Sequence, residues 1–139
     1  MFKKLLVIAL AANLGACSTP STNLGALSTA EGIIGTWKVQ SGSRDIPNLA
    51  IAFADNGTIT GTAECNTISA HYQLTADRLT ISDSDITALS CGGRPKAAEV
   101  ESMARNLLTS SPFRVSQHEK GTLVLTSAAG SWRLKRITN

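Results

Sequence analysis

The sequence GTAECN, residues 61–66, ends a predicted β-strand at a cysteine and then turns at an asparagine. Just upstream, apolar residues alternate with threonines, and a period of two is typical of a strand with one buried and one solvated face. Ile59, Gly61, Ala63 and Cys65 therefore share one side of this strand. A second cysteine, Cys91, follows 26 positions later, so the relation between the two cysteines organises much of the chain.

The same alternation recurs along the chain. It predicts eight short strands, near residues 36–40, 49–53, 58–65, 68–74, 79–81, 113–117, 122–126 and 131–137. A polar loop around Pro47 and a solvated turn at residues 83–85 are predicted between strands. Calcium is the alternative for residues 83–85, but the glycine and glutamate that complete an EF-hand loop are missing. We expect a mainly β domain, a small antiparallel β-barrel, because closure removes the edges of so many short strands.

One segment, between Pro95 and Ser111, has a helical period instead. Its apolar residues form a single stripe, and they are Val100, Met103, Ala104, Leu107 and Leu108. Pro95 suits the first helical turn, and Glu101 is placed to pair with Arg105 one turn later. We expect one amphipathic α-helix that covers one end or seam of the barrel.

The N-terminus has the pattern of an export signal. Residues 1–16 combine two lysines with an apolar run that is too short to span a bilayer. Leu14-Gly15-Ala16-Cys17 resembles the bacterial lipobox, which implies that Cys17 is acylated and anchors the chain in a membrane. Ser18, in place of the aspartate that marks inner-membrane retention, favours the periplasmic face of the outer membrane of a Gram-negative bacterium. The alternative is an ordinary signal peptide with an accidental cysteine.

Composition limits the remaining chain to one domain. Residues 17–30 are rich in small and polar side chains and predict a flexible tether, so the folded domain covers residues 31–139. The precursor has a formal charge of +3, and removal of the two signal lysines leaves about +1. This balance does not indicate nucleic acid, because its binders concentrate basic residues on one face.

Cys65 and Cys91 allow three interpretations. In an oxidising compartment a disulfide is favoured, and closing this loop stabilises a fold by about 3–4 kcal/mol. Free or redox-active thiols are the second, although no neighbouring base is visible. A zinc site is the third, but it would need His71 and His118, which lack the spacing of a zinc motif. We expect no metal and no cofactor.

The cationic C-terminal residues have two readings. Arg133, Lys135 and Arg136 could touch anionic lipid headgroups, but alternation with Trp132 and Leu134 also fits an ordinary outer face. Both Trp37 and Trp132 lie in alternating strands and are predicted to be core residues.

Several of these fragments occur together in the META domain family, the family of the heat-inducible lipoprotein HslJ, which this chain resembles. The resemblance rests on residues 35–37 with Trp37, residues 49–53, residues 61–66 with Gly61 and Asn66, Tyr72, residues 87–91 with Thr87, and residues 123–125. Two positions depart from the family pattern, since Glu64 replaces a glycine and Ser90 replaces an alanine. The resemblance implies a lipocalin-like barrel with a helix, roles in envelope stress and drug tolerance, and no catalytic residues.

The sequence thus predicts a non-enzymatic envelope lipoprotein that acts by contact with an envelope protein, as a monomer held by a lipid at Cys17. A carrier of a small apolar ligand is one alternative, because a small barrel can hold one such molecule. An inhibitor of a periplasmic or host hydrolase is another. No nucleophile, base or metal set supports an enzyme.

Overall fold

The structure, a computed structural model, describes residues 32–138. The predicted signal peptide, the tether and Cys17 lie outside the described residues. The described chain forms eight strands and one helix. Their bounds are β1 (Gly35–Ser41), β2 (Arg44–Phe53), β3 (Thr58–Ala63), β4 (Asn66–Thr75), β5 (Arg78–Ile86), α1 (Ala97–Thr109), β6 (Phe113–Glu119), β7 (Thr122–Ser127) and β8 (Gly130–Arg136).

The strands form a closed antiparallel barrel in sequence order, which confirms the predicted fold class. The barrel closes where β8 pairs with β1, from Trp37 opposite Arg136 to Gln40 opposite Arg133. The weakest seam lies between β5 and β6, which share only two residue pairs. The chain leaves the sheet at this seam to form α1 before it returns as β6.

Large apolar side chains fill the interior. The fully buried ones include Trp37, Phe53, Phe113, Leu49, Ile51, Ile59, Leu79, Leu123, Leu125 and Leu134. The helix adds Val100, Ala104, Leu107 and Leu108, all buried, with Met103 packed against them. The apolar stripe read from the sequence is therefore confirmed. Burial on this scale, at about 25 cal/mol per Å² of apolar surface, dominates the stability of so small a domain.

The barrel has two distinct ends, because sequential antiparallel strands alternate in direction. At the proximal end, β1 begins at Gly35 and β8 ends at Arg136. At the helix end, β3 ends at Ala63 and β4 begins at Asn66, and α1 packs there against β2, β3 and β5. Gly32, the first described residue, therefore lies at the end opposite α1.

Three local predictions were wrong. Pro47 lies within β2, not in a loop, but at a point where the β1–β2 register shifts, so that its missing amide leaves no ladder position empty. Residues 83–85 lie within β5, where the register with β4 shifts and Asp83 has a positive φ of 51°. The polar residues mark a β-bulge there instead of a turn. Pro95, expected in the first helical turn, precedes the helix, which begins at Ala97.

Candidate functional site

The buried side chain of Asn66 is the centre of a polar network at the helix end. The carboxamide oxygen accepts hydrogen bonds from the Leu89 amide at 2.7 Å and from the Thr87 hydroxyl at 2.8 Å. The Nδ2 group donates to Glu101 Oε1 at 2.6 Å and to the Leu89 carbonyl at 3.2 Å. An amide has two donors and one acceptor atom with two lone pairs, so Asn66 is fully satisfied. Asn66 has no exposed surface.

This network connects elements that are distant in sequence. The Thr87 hydroxyl also accepts from the Thr67 amide at 3.0 Å, and the Thr87 amide donates to the Thr67 carbonyl at 3.1 Å. Residues 87–89 thus continue alongside β4 after β5 has ended. Glu101, predicted to pair with Arg105, instead accepts from Asn66 and fixes α1 to the same point.

A disulfide joins Cys65 to Cys91 next to Asn66, with a Cα–Cα distance of 5.5 Å. Of the three interpretations of the cysteines, the structure contains the disulfide. It ties the β3–β4 turn to residues 87–91, so covalent and hydrogen-bonded links hold the same two segments together. The turn consists of Glu64 and Cys65, whereas Asn66, expected in the turn, is the first residue of β4.

Glu64 occupies a backbone position that favours glycine. Its φ is 57°, in the left-handed region, which agrees with the glycine expected there from the family resemblance. The glutamate side chain, only 6% exposed, accepts from Arg94 at 3.1 Å and from Asn48 at 3.2 Å. These bonds offset the backbone cost and attach residues 91–96 to β2.

The other residues of the family pattern lie elsewhere. Gly61 faces β2 so closely that an added Cβ would overlap the Ala50 carbonyl oxygen. The Tyr72 hydroxyl donates to the Ala54 carbonyl near the proximal end. Burial raises the pKa of Tyr72, with a smaller contribution from the charge of Asp55.

Trp37 is the centre of a second group of contacts, at the proximal end. Its indole nitrogen donates to the Ile33 carbonyl at 2.8 Å, and the Arg136 guanidinium lies 4.2 Å from the ring centroid. Arg136 also donates to the carbonyls of Ile34 and Gly32 at 2.8 and 3.0 Å. This places Arg136 inside the barrel end and removes it from the cationic outer surface read from the sequence. Trp132 is half-buried against the core, near its predicted place.

The two candidate zinc ligands named from the sequence, His71 and His118, are not part of a metal site in the described residues. Within residues 32–138, no three His, Cys, Asp or Glu side chains are grouped to hold a metal ion. His71 and His118 are exposed on other strands, and His71 lies 3.7 Å from Asp83. No helix in this part of the chain is long and apolar enough to cross a bilayer.

Comparison with known proteins places this arrangement in a family. The META domain model matches residues 33–137. The chain belongs to the META domain family. An NMR structure of a protein from Burkholderia xenovorans is similar, with a TM-score of 0.60 and 16% identity, over 78% of this chain and 86% of that chain. A second NMR structure has a TM-score of 0.59 and 18% identity, over 78% and 94% of the two chains. These identities support the fold alone. A search of curated proteins found no match.

In this META domain, the structure reveals a surface feature that the sequence reading missed. Leu89 is 64% exposed and is the one large hydrophobic residue so exposed among the described residues. Its amide and its carbonyl both bond to Asn66, so its backbone is fixed while its side chain points to solvent. A leucine in an alternating pattern would be expected inside. The two backbone hydrogen bonds to Asn66 explain why the side chain of Leu89 is exposed instead.

Proposed function

We propose that this META domain is a non-enzymatic envelope lipoprotein, held as a monomer at the periplasmic face of the outer membrane, which acts by contact with an envelope protein in tolerance of stress or drugs. The lipobox-like segment that ends at Cys17 supports the membrane anchor. The observation that carries the protein contact is Leu89, an exposed leucine on a rigid backbone.

Residues 87–91 have the properties of a preorganised contact. An interface gains affinity when its anchor residue is held in the bound conformation before association, because less conformational entropy is lost. Asn66 and the disulfide hold this segment in place, and an apolar anchor that fills a pocket is typical of interface hot spots. The neighbours Ala88 and Ser90 are small and exposed, so they leave Leu89 accessible. The segment lies at the helix end, away from Gly32, the first described residue.

The two alternatives are less well supported. A carrier needs interior space, but bulky buried side chains such as Trp37, Phe53 and Phe113 occupy the barrel. An inhibitor that presents Leu89 as a substrate needs the amide and carbonyl of Leu89 for the protease, but Asn66 uses both.

The proposed contact is tested by a photocrosslinking residue at Ser90 in intact cells. We expect one defined envelope protein to be crosslinked at Ser90, and the crosslink to be lost when Leu89→Asp is added. The matched control carries the crosslinker at Thr60, an exposed residue on the outer face of β3. Equal capture from both positions, or a crosslink that survives Leu89→Asp, would refute the contact.

A further inference from the structure

Two like charges face each other across the seam that closes the barrel. Lys38 of β1 is the direct antiparallel partner of Lys135 of β8, and both side chains are on the outer surface. Cβ atoms in such pairs lie about 4.5–5.5 Å apart, and like charges directly opposite are unfavourable for the fold. Arg133 projects from the same face of β8, two residues from Lys135.

Nearby carboxylates balance this group only in part. Asp45 lies 3.4 Å from Lys38, but it also accepts a hydrogen bond from Gln40 at 2.7 Å. These bonds lower the pKa of Asp45, the bond from Gln40 most, so the carboxylate is charged at neutral pH. These three cations also outnumber Asp45 and Glu119 together; Glu119 is an exposed carboxylate that pairs with Thr122, the neighbour of Lys135. Lys120, in the turn between β6 and β7, is exposed beside it.

The position of this basic surface near the first described residues indicates that its partner is the membrane. The chain joins the barrel at the proximal end, where Arg136 holds the Gly32 and Ile34 carbonyls. Lys135 precedes Arg136, so Lys135 lies close to Gly32, whereas Arg133 lies farther along the seam, opposite Gln40. A short tether from an acylated residue would bring this part of the domain near the membrane, while Leu89 lies at the other end.

We propose that the basic face, formed by Lys38, Arg133 and Lys135, rests on the anionic headgroups of the membrane that holds the chain. Phosphate groups between the lysines relieve the repulsion that the fold alone leaves in place. The inference rests on the proposed lipid anchor, and it orients the domain with Leu89 directed away from the membrane. Each Lys or Arg near an anionic surface contributes about fivefold to binding, so three give about a hundredfold.

The test uses the full chain, purified from the membranes of cells that express it, in vesicles of phosphatidylcholine alone, or of equal parts phosphatidylcholine and phosphatidylglycerol. The readout is the acetylation rate of each lysine, measured by mass spectrometry. We expect Lys38 and Lys135 to react at least fivefold more slowly on anionic vesicles, and high salt to abolish the difference. Lys96, exposed at the helix end, should react equally on both and is the internal control.

Variants separate the basic face from general charge effects. Lys135→Gln should weaken the protection of Lys38 about fivefold, whereas Lys96→Gln should leave it unchanged. Equal acetylation of Lys38 on both kinds of vesicle would overturn the proposal. So would equal protection by inorganic phosphate on neutral vesicles, which would indicate a small-anion site instead.

Flotation separates this inference from the anchor. A chain that floats with both kinds of vesicle, but shows no protection that depends on anionic lipid, refutes the basic face alone. A chain that floats only with anionic vesicles refutes the anchor and supports the basic face.

Discussion

Replacement of Asn66 by aspartate tests whether the polar network at the helix end holds the domain together. The change keeps the shape of the side chain but replaces the Nδ2 donor with an oxygen. That oxygen would face Glu101 Oε1 and the Leu89 carbonyl, which now accept from Asn66 at 2.6 and 3.2 Å. Two attractive contacts would become two repulsive ones, with no change in volume.

The expected loss of stability follows from these contacts. Two carboxylates about 4 Å apart repel by about 4 kcal/mol at an effective dielectric constant of about 20. Glu101 is half-buried, so solvent screening reduces this to about 2 kcal/mol. The two lost hydrogen bonds contribute about 1 kcal/mol each. We therefore expect Asn66→Asp to lower the free energy of unfolding by about 4 kcal/mol at pH 7, a large part of the stability of a small domain.

The loss should depend on pH. Repulsion raises the pKa of the carboxyl pair in the folded state above the unfolded values of about 3.9 and 4.3. A raised folded pKa means that the variant is closest to wild type below about pH 4, and that the deficit grows as pH rises through the folded pKa. Adding Glu101→Gln should recover about half of the loss at pH 7, because a neutral amide can donate to the new carboxylate.

The assay is urea unfolding with the disulfide intact, followed by tryptophan fluorescence at pH 7 and pH 4. Asn106→Asp is the matched control, because Asn106 is exposed on α1 and should change stability by less than about 1 kcal/mol. A loss of unfolding free energy under about 1 kcal/mol for Asn66→Asp, or an equal loss at the two pH values, would show that the network does not stabilise the domain in this way.

Three further predictions concern single contacts. Cys65→Ser should lower the free energy of unfolding by about 3–4 kcal/mol in urea without affecting membrane anchoring, and an unchanged midpoint would mean that the disulfide is dispensable. Gly61→Ala should cost about 3 kcal/mol, because the new methyl group meets the Ala50 carbonyl, and the check is the thermal midpoint. Gln40→Leu should raise the pKa of Asp45 in an NMR titration. Because folding lowers this pKa, Asp45 stabilises the folded state at neutral pH, and this stabilisation is lost on acidification. In the variant the loss should occur at a higher pH.

The fold class follows from the order of the residues. Strand positions follow from alternation, which depends only on neighbouring residues and on one face of each strand being buried. The apolar stripe of α1 is local in the same way. The pairing of Cys65 with Cys91 could also be favoured from sequence, because few alternatives remain once the compartment is inferred.

The polar network around Asn66, by contrast, depends on contacts between residues that are far apart in the chain. Asn66 meets Leu89 and Glu101 across 23 and 35 positions, and no local pattern records such distances. Local helical spacing predicts pairing of Glu101 with Arg105. In the folded domain the buried Asn66 amide donates to Glu101 instead, because the Leu89 carbonyl satisfies only one of its two N–H groups.

The same reason explains the two ends of the molecule. Arg136 belongs to a run of cationic residues in the sequence, yet closure of the barrel sets it over Trp37 and leaves Lys135 facing Lys38. Residues 61–66 still organise the chain, and their alternation and cysteine are readable directly. Asn66 keeps the Leu89 side chain exposed only because the start of β4 lies next to residues 87–89. Barrel closure produces this contact between residues that are far apart in sequence.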